Sequence, residues 1–118
     1  MESRKSARFS VQIPLSIIGT GHESNGIILN ISREGCLVTV EPTVPLQDYV
    51  QLDMRLREGE EAVHIELAAV RWSSGSKVGL EYIKLKEEQQ NRLLKFMAML
   101  ERNTTGEIAE NRRDKRFT

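Results

Sequence analysis

Two short polar segments carry the residue types from which a ligand site could be built. In Arg4-Lys5-Ser6-Ala7-Arg8 two guanidinium groups stand four positions apart, just ahead of the first alternation of apolar residues. Arginines at i and i+4 share a face of an extended or helical backbone, and each fork can make paired hydrogen bonds to a phosphate or to the O6/N7 edge of guanine. The same segment also reads as a solvated basic terminus. In Asn30-Ile31-Ser32-Arg33-Glu34-Gly35 an amide and a hydroxyl stand two apart, on one side of an extended backbone, and a glycine follows that permits close backbone approach. That arrangement suits a planar polar ligand, although Asn, Ser and Gly are also the ordinary residues of a turn.

The spacings that catalysis needs are missing, so no catalytic residue and no metal ligand is assigned. His22 and His64 are far apart and belong to no metal-binding spacing, and His64 falls on the polar phase of its strand. There is no Gly-x-Ser-x-Gly and no P-loop. Cys36 follows a glycine and precedes apolar Leu37, which reads as a core thiol. As the single cysteine it can form neither an internal disulfide nor a cysteine-based zinc site, and a cytoplasmic location fits best.

The elements that must position these residues follow from periodicity. A chain of 118 residues allows one domain with one core. Val11, Ile13, Leu15 and Ile17 alternate with Gln12, Pro14 and Ser16, the period of a half-buried strand, and Pro14 makes it an edge or bulged one. A turn from Gly19 to Gly26 then leads to Ile27–Ile31, and the break from Ser32 to Gly35 leads to Leu37–Val40. Val50, Leu52, Met54 and Leu56 alternate with Gln51, Asp53, Arg55 and Arg57. Val63, Ile65, Leu67 and Ala69 hold odd positions, but Val70 and Trp72 move the pattern to even ones, which predicts a bulge near Ala68 or Ala69. A hairpin turn over Ser73–Ser76 returns through Val78, Leu80 and Tyr82. Six strands joined by short polar turns suggest a closed antiparallel barrel, since closure removes exposed edges. From Lys86 to Arg102 the character becomes helical, with Leu93, Phe96, Met97 and Leu100 on one stripe that Leu94 and Met99 widen. The wide stripe reads as a broad core face or a partner surface.

Lysine plus arginine equals aspartate plus glutamate at 17 each, so the chain as a whole does not attract a nucleic-acid polymer. No apolar run approaches the roughly 20 residues that span a bilayer, and membrane insertion is not expected.

In this order and ahead of this strand pattern, the two polar segments resemble the PilZ domain family. Val70-Arg71-Trp72 followed by Val78-Gly79-Leu80-Glu81-Tyr82 is similar to that family's late Trp and Gly-hydrophobic-Glu-aromatic signature, and the likeness runs from Arg4 to about Arg102. The resemblance implies a mainly β fold, a six-stranded antiparallel β-barrel of split-barrel type with a C-terminal α-helix. The domain would occupy 1–102, as a flexible arginine segment (1–10), a barrel (11–84) and a helix (86–102), followed by a mobile basic tail (103–118).

It further implies a receptor for cyclic di-GMP, the bacterial second messenger of motility, adhesion and biofilm formation, with no cofactor besides that ligand. Arg4 and Arg8 would contact phosphates and guanine edges, with Lys5 assisting. Asn30 and Ser32 would hydrogen-bond guanine and its surroundings, and Gly35 would supply the turn. Arg33 and Trp72 would lie next to the ligand, though Trp72 also reads as core or barrel rim. Asn30 stands where many relatives carry aspartate, so it accepts without a full negative charge. The implied mechanism is ordering of the arginine segment by ligand, which creates a surface for a downstream protein, the chain being a monomer or weak dimer. The competing implication is a PilZ-like adapter in type IV pilus or motility assemblies with weak or no nucleotide binding. Arg112-Arg113-Asp114-Lys115-Arg116-Phe117-Thr118 repeats the form of Arg4 to Ser10. It reads as coincidence in a charged tail, as the truncated start of a second such domain, or as a tail reaching ligand or a neighbouring subunit.

Overall fold

In the computed structural model the described residues are 7–40 and 48–114, with side chains described as far as Asn103. Six strands and one helix follow in order: β1 (Phe9–Gly19), β2 (His22–Ile31), β3 (Gly35–Val40), β4 (Tyr49–Met54), β5 (Val63–Ser74), β6 (Lys77–Lys84) and α1 (Glu87–Asp114). The strands close into an antiparallel barrel in the order β1-β2-β3-β6-β5-β4, so the expected fold class holds. Alternation decides which side chains fill it. Ile13, Leu15 and Ile17 of β1, Val50, Leu52 and Met54 of β4, and Val63 and Ile65 of β5 all point inward and are buried, as their phase requires.

The first reversal is tighter than the sequence suggests. His22 to Gly26, expected within a turn, continue the β1–β2 ladder, and Gly19 pairs with His22. Gly21 makes this tight reversal accessible with a φ of +74°. The polar run read as loop is a strand because Ser24 faces inward at 5% exposure and because Gly26 lets β3 approach closely. A Cβ on Gly26 would stand 2.5 Å from the Thr39 carbonyl oxygen.

Helix α1 stoppers one end of the barrel with Leu93, Phe96 and Met97, which are buried, while Leu94 stays exposed. Glu87 and Glu88 in its first turn favour the positive end of the helix dipole. Side chains tie it to the barrel: the His64 backbone N–H donates to Gln89 Oε1 at 3.0 Å, and Arg92 donates to the Ala62 carbonyl at 3.3 Å and to the Glu61 carbonyl. The helical backbone runs to Asp114, beyond the Arg102 at which the sequence stripe ends. Thr104, Thr105 and Gly106 are weak helix formers, but Glu107, Ala109 and Glu110 after them favour helix. The echo of the arginine segment, Arg112 to Thr118, has its side chains outside the described residues. Phe9 and Ser10, assigned to the arginine segment, are already paired in β1.

A two-walled cleft at the start of the barrel

A cleft of about 310 Å³ opens on the barrel surface between the β2–β3 turn and the β5–β6 ladder. Its lining includes Arg8, Asn30, Ser32 and Gly35 on one wall and Arg71, Trp72, Gly79 and Glu81 on the other. Strand register assembles the first wall. Phe9 pairs with Ile31 and Ser10 with Asn30, so Arg8, one residue ahead of the ladder, arrives beside Ser32. Two of the expected groups, Arg4 and Lys5, lie outside the described residues. Arg33 is exposed and does not line the cleft; the turn directs it to solvent.

The β2–β3 turn is held by its own serine. Ser32 N–H donates to the Gly35 carbonyl at 2.9 Å, and Ser32 Oγ accepts from the backbone N–H groups of Glu34 and Gly35, each at 3.2 Å. The hydroxyl in turn donates to the Gly35 carbonyl at 3.3 Å, and the residue is 8% exposed. Ser32 therefore shapes the loop first. Gly35 is required for a different reason than a turn conformation. It begins β3 opposite Glu81, and a Cβ there would overlap the Leu80 carbonyl oxygen and stand 3.2 Å from the Glu81 Cα. Asn30 lines the cleft, and its carboxamide carries both donor and acceptor groups.

The second wall rests on two irregularities that the sequence pattern only half reveals. The bulge predicted near Ala68 is present as a register shift between Leu67 and Ala68, and a second shift lies between Val70 and Trp72. At the second, Arg71 is the additional residue. A regular strand would send neighbours to opposite faces, but both Arg71 and Trp72 line the cleft. The Trp72 ring lies over Gly79, where a Cβ would stand 2.8 Å from Trp72 Cε2, and the side chain remains 51% exposed. Beside it Arg71 Nε and Nη2 both meet Glu81 Oε1 at 2.5 Å. Arg71, Gly79 and Glu81 stand in the sequence only as part of the late signature around Trp72, and it is strand register that brings them to the cleft.

Beneath the cleft lies a buried polar pair. Burial pushes the Cys36 thiol up to about 12, against which the Tyr82 hydroxyl acts weakly. Burial first, then the adjacent thiol, holds the Tyr82 phenol well above its ordinary range. The Tyr82 hydroxyl has no nitrogen or oxygen partner among the described residues. A thiol so placed is protonated and inert, consistent with the core reading of Cys36. His64 Nδ1 lies 2.7 Å from Asp53 Oδ1 across the β4–β5 ladder, half exposed, and no group of metal-binding residues occurs among the described residues.

The PilZ domain family model matches residues 2–99. Among solved structures, the PilZ domain of YcgR from Escherichia coli, determined with c-di-GMP, is similar at a TM-score of 0.71 and 13% identity, over 92% of this chain and 98% of that one. The Bacillus subtilis inhibitor of motility MotI/DgrA is similar at a TM-score of 0.70 and 23% identity over 90% of this chain, which spans about half, 53%, of the Bacillus chain. The PilZ domain of CeSA from a cellulose-synthesizing bacterium aligns at a TM-score of 0.59 and 13% identity, covering 80% of this chain and 94% of that one. At such identities the structural likeness is one of fold. No curated protein sequence gives a significant match.

Proposed function

Because the chain belongs to the PilZ domain family, we propose that it is a cyclic di-GMP receptor whose ligand enters the two-walled cleft. The observation that carries this reading is the meeting of Arg8 with Asn30, Ser32 and Gly35. These residues come from two segments that are separate in sequence, and register brings them to one surface. The described charges lining the cleft cancel, Arg8 and Arg71 against Glu34 and Glu81, and Arg71 is already engaged by Glu81. A ligand with two phosphates therefore draws its positive charge from Arg8 and from Arg4 and Lys5, four and three residues earlier.

In this mechanism the ligand gathers Arg4, Lys5 and Arg8 onto the barrel, and the ordered segment presents a new surface to a protein partner. Asn30 accepts from or donates to a guanine edge, and Ser32 keeps the turn in the shape that allows it. The ligand is the messenger itself, no cofactor takes part, and the role is that of a receptor rather than a catalyst. No described helix is long and apolar enough to cross a membrane. The proposed setting is the cytoplasm, with motility or biofilm formation as the controlled output.

A second reading, a PilZ-like interaction adapter, draws on the Ser32 hydroxyl already committed to its own turn and on exposed Leu94 of α1. Calorimetric titration with cyclic di-GMP separates the two. Saturable heat for the native chain that disappears in Arg8→Ala supports the receptor. Absence of heat at high micromolar ligand leaves the adapter.

A further inference from the structure

The alternation that turns apolar side chains into the barrel leaves polar ones on its outer face. One belt of the outer face departs from that rule. Ile18 of β1, Tyr49 of β4 and Leu67 of β5 line a shallow depression of about 260 Å³ together with Thr20, Gln51 and Glu66. Ile83 of β6 joins them, since its neighbour Lys84 is paired with Leu67. In the closed order β1, β4, β5 and β6 are successive neighbours, so one apolar side chain from each of four adjacent strands meets on the outside. Tyr49 is 57% exposed and Ile83 45%. None of the four lines the ligand cleft.

Two irregularities of the backbone put them there. Val50 pairs with Ala68 and Leu52 with Ile65, so β5 has two residues, Glu66 and Leu67, where β4 has only Gln51. Ile65 and Ala68 are both fully buried, and the additional residue lets Leu67 join Glu66 on the outer face instead of following Ile65 into the core. On the other side Leu67 pairs with Lys84 and Ala68 with Tyr82, which leaves Ile83 without a partner in the ladder and exposed. Bulges re-aim side chains, and here both aim apolar ones at water. A ladder that gives up regular pairing to hold apolar surface outside serves contact with another molecule.

The charges beside the belt point to what covers it. Glu66 and Lys84 adjoin Leu67 with opposite signs, and their own contact is loose, 3.9 Å with the Lys84 side chain 73% exposed. A two-fold axis passing between them sets Glu66 of one copy against Lys84 of the partner subunit, and the reverse, while the apolar side chains meet between the two pairs. Four strands at about 4.8 Å spacing make a belt roughly 15 Å across, room for the apolar centre of an interface of about 800 Å² per partner. From the belt, its bulges and this self-complementary charge pattern we infer that the chain forms a two-fold dimer through Ile18, Tyr49, Leu67 and Ile83. The inference is independent of what enters the cleft. Tyr49 is the principal anchor, a large exposed ring with a polar tip.

Sedimentation equilibrium over a concentration series tests it, with folding of each variant checked by circular dichroism. The native chain should show a mass that rises from one chain toward two as concentration increases. Tyr49→Glu and Ile83→Glu change exposed positions and should leave the fold intact, yet each should weaken dimerisation roughly tenfold or more. Glu66→Lys sets like charges against each other across the axis and should also weaken it. Adding Lys84→Glu to that variant restores opposite signs and should restore the dimer. The proposal is overturned by a native chain that stays monomeric at millimolar concentration, or by a dimer that neither Tyr49→Glu nor Ile83→Glu disturbs. It is equally overturned if Glu66→Lys dimerises as well as the native chain, or if Glu66→Lys with Lys84→Glu fails to regain the association that Glu66→Lys loses.

Discussion

The two walls of the cleft reach the same surface by different physical routes. The Asn30–Gly35 wall is a local turn: one serine satisfies its own loop through Glu34 and Gly35, and the spacing of the residues is the spacing of the hydrogen bonds. The Arg71–Glu81 wall is assembled across two strands, with a bulge supplying Arg71, an absent side chain at Gly79 seating Trp72, and a cross-strand ion pair fixing the edge. A wall written in a turn tolerates little change of residue type. A wall written in register tolerates substitution of its side chains without loss of the fold.

The sharpest break in this comparison is at Arg8, the cation that lines the cleft together with Asn30, Ser32 and Gly35 of the turn wall. Arg8→Ala should lower affinity for cyclic di-GMP about a hundredfold, or roughly 3 kcal/mol, as measured by calorimetry, with the unfolding midpoint unmoved. Next comes Gly35→Ala, in which the new Cβ meets the Leu80 carbonyl and forces β3 and β6 apart. Urea unfolding should register a loss of about 1–3 kcal/mol. Ser32→Ala removes the hydroxyl that caps the turn and should cost about 1 kcal/mol in the same experiment, with a parallel loss of affinity. Should Ser32→Ala weaken binding with full stability retained, the hydroxyl serves the ligand rather than the loop.

The smallest effect at neutral pH belongs beneath both walls. Tyr82→Phe deletes a buried hydroxyl that has no nitrogen or oxygen partner, and the change should be within about 1 kcal/mol of neutral. Alkali separates this floor from the walls. The folded chain keeps the Cys36 proton up to about 12, above the 9.0 of a free thiol, so folding binds protons that the unfolded chain has released. Stability is complete below pH 9 and falls as pH rises toward 12, and the raised Tyr82 phenol acts in the same direction. Equilibrium unfolding followed from pH 8 upward checks the sign.

What the sequence made legible follows the same division. The inward alternation of β1, β4 and the first half of β5 was readable because a period of two needs no partner to be recognised. The Asn30-x-Ser32-x-x-Gly35 spacing was readable because its hydrogen bonds are local. The start of β2 was misread, since Glu23-Ser24-Asn25-Gly26 has the composition of a turn, and only its pairing with β1 and β3 makes it strand. The role of Gly35 was half legible: close approach was expected, but the neighbour it approaches, Leu80, belongs to a strand 45 residues away. Arg71 and Glu81 stand in the late signature but not among the candidate site residues, because a bulge between Val70 and Trp72 moves Arg71 onto the cleft face, and the phase change in the sequence locates only the neighbouring irregularity between Leu67 and Ala68.

The most direct test of the account is a nitrogen-15 chemical-shift titration of the intact chain with cyclic di-GMP, because it observes both walls at once. The backbone amides from Ser32 to Gly35 and the single indole N–H of Trp72 should shift along one common saturation curve. Resonances of the turn and the indole that stay in place at saturating ligand, or shifts confined to helix α1, would contradict it.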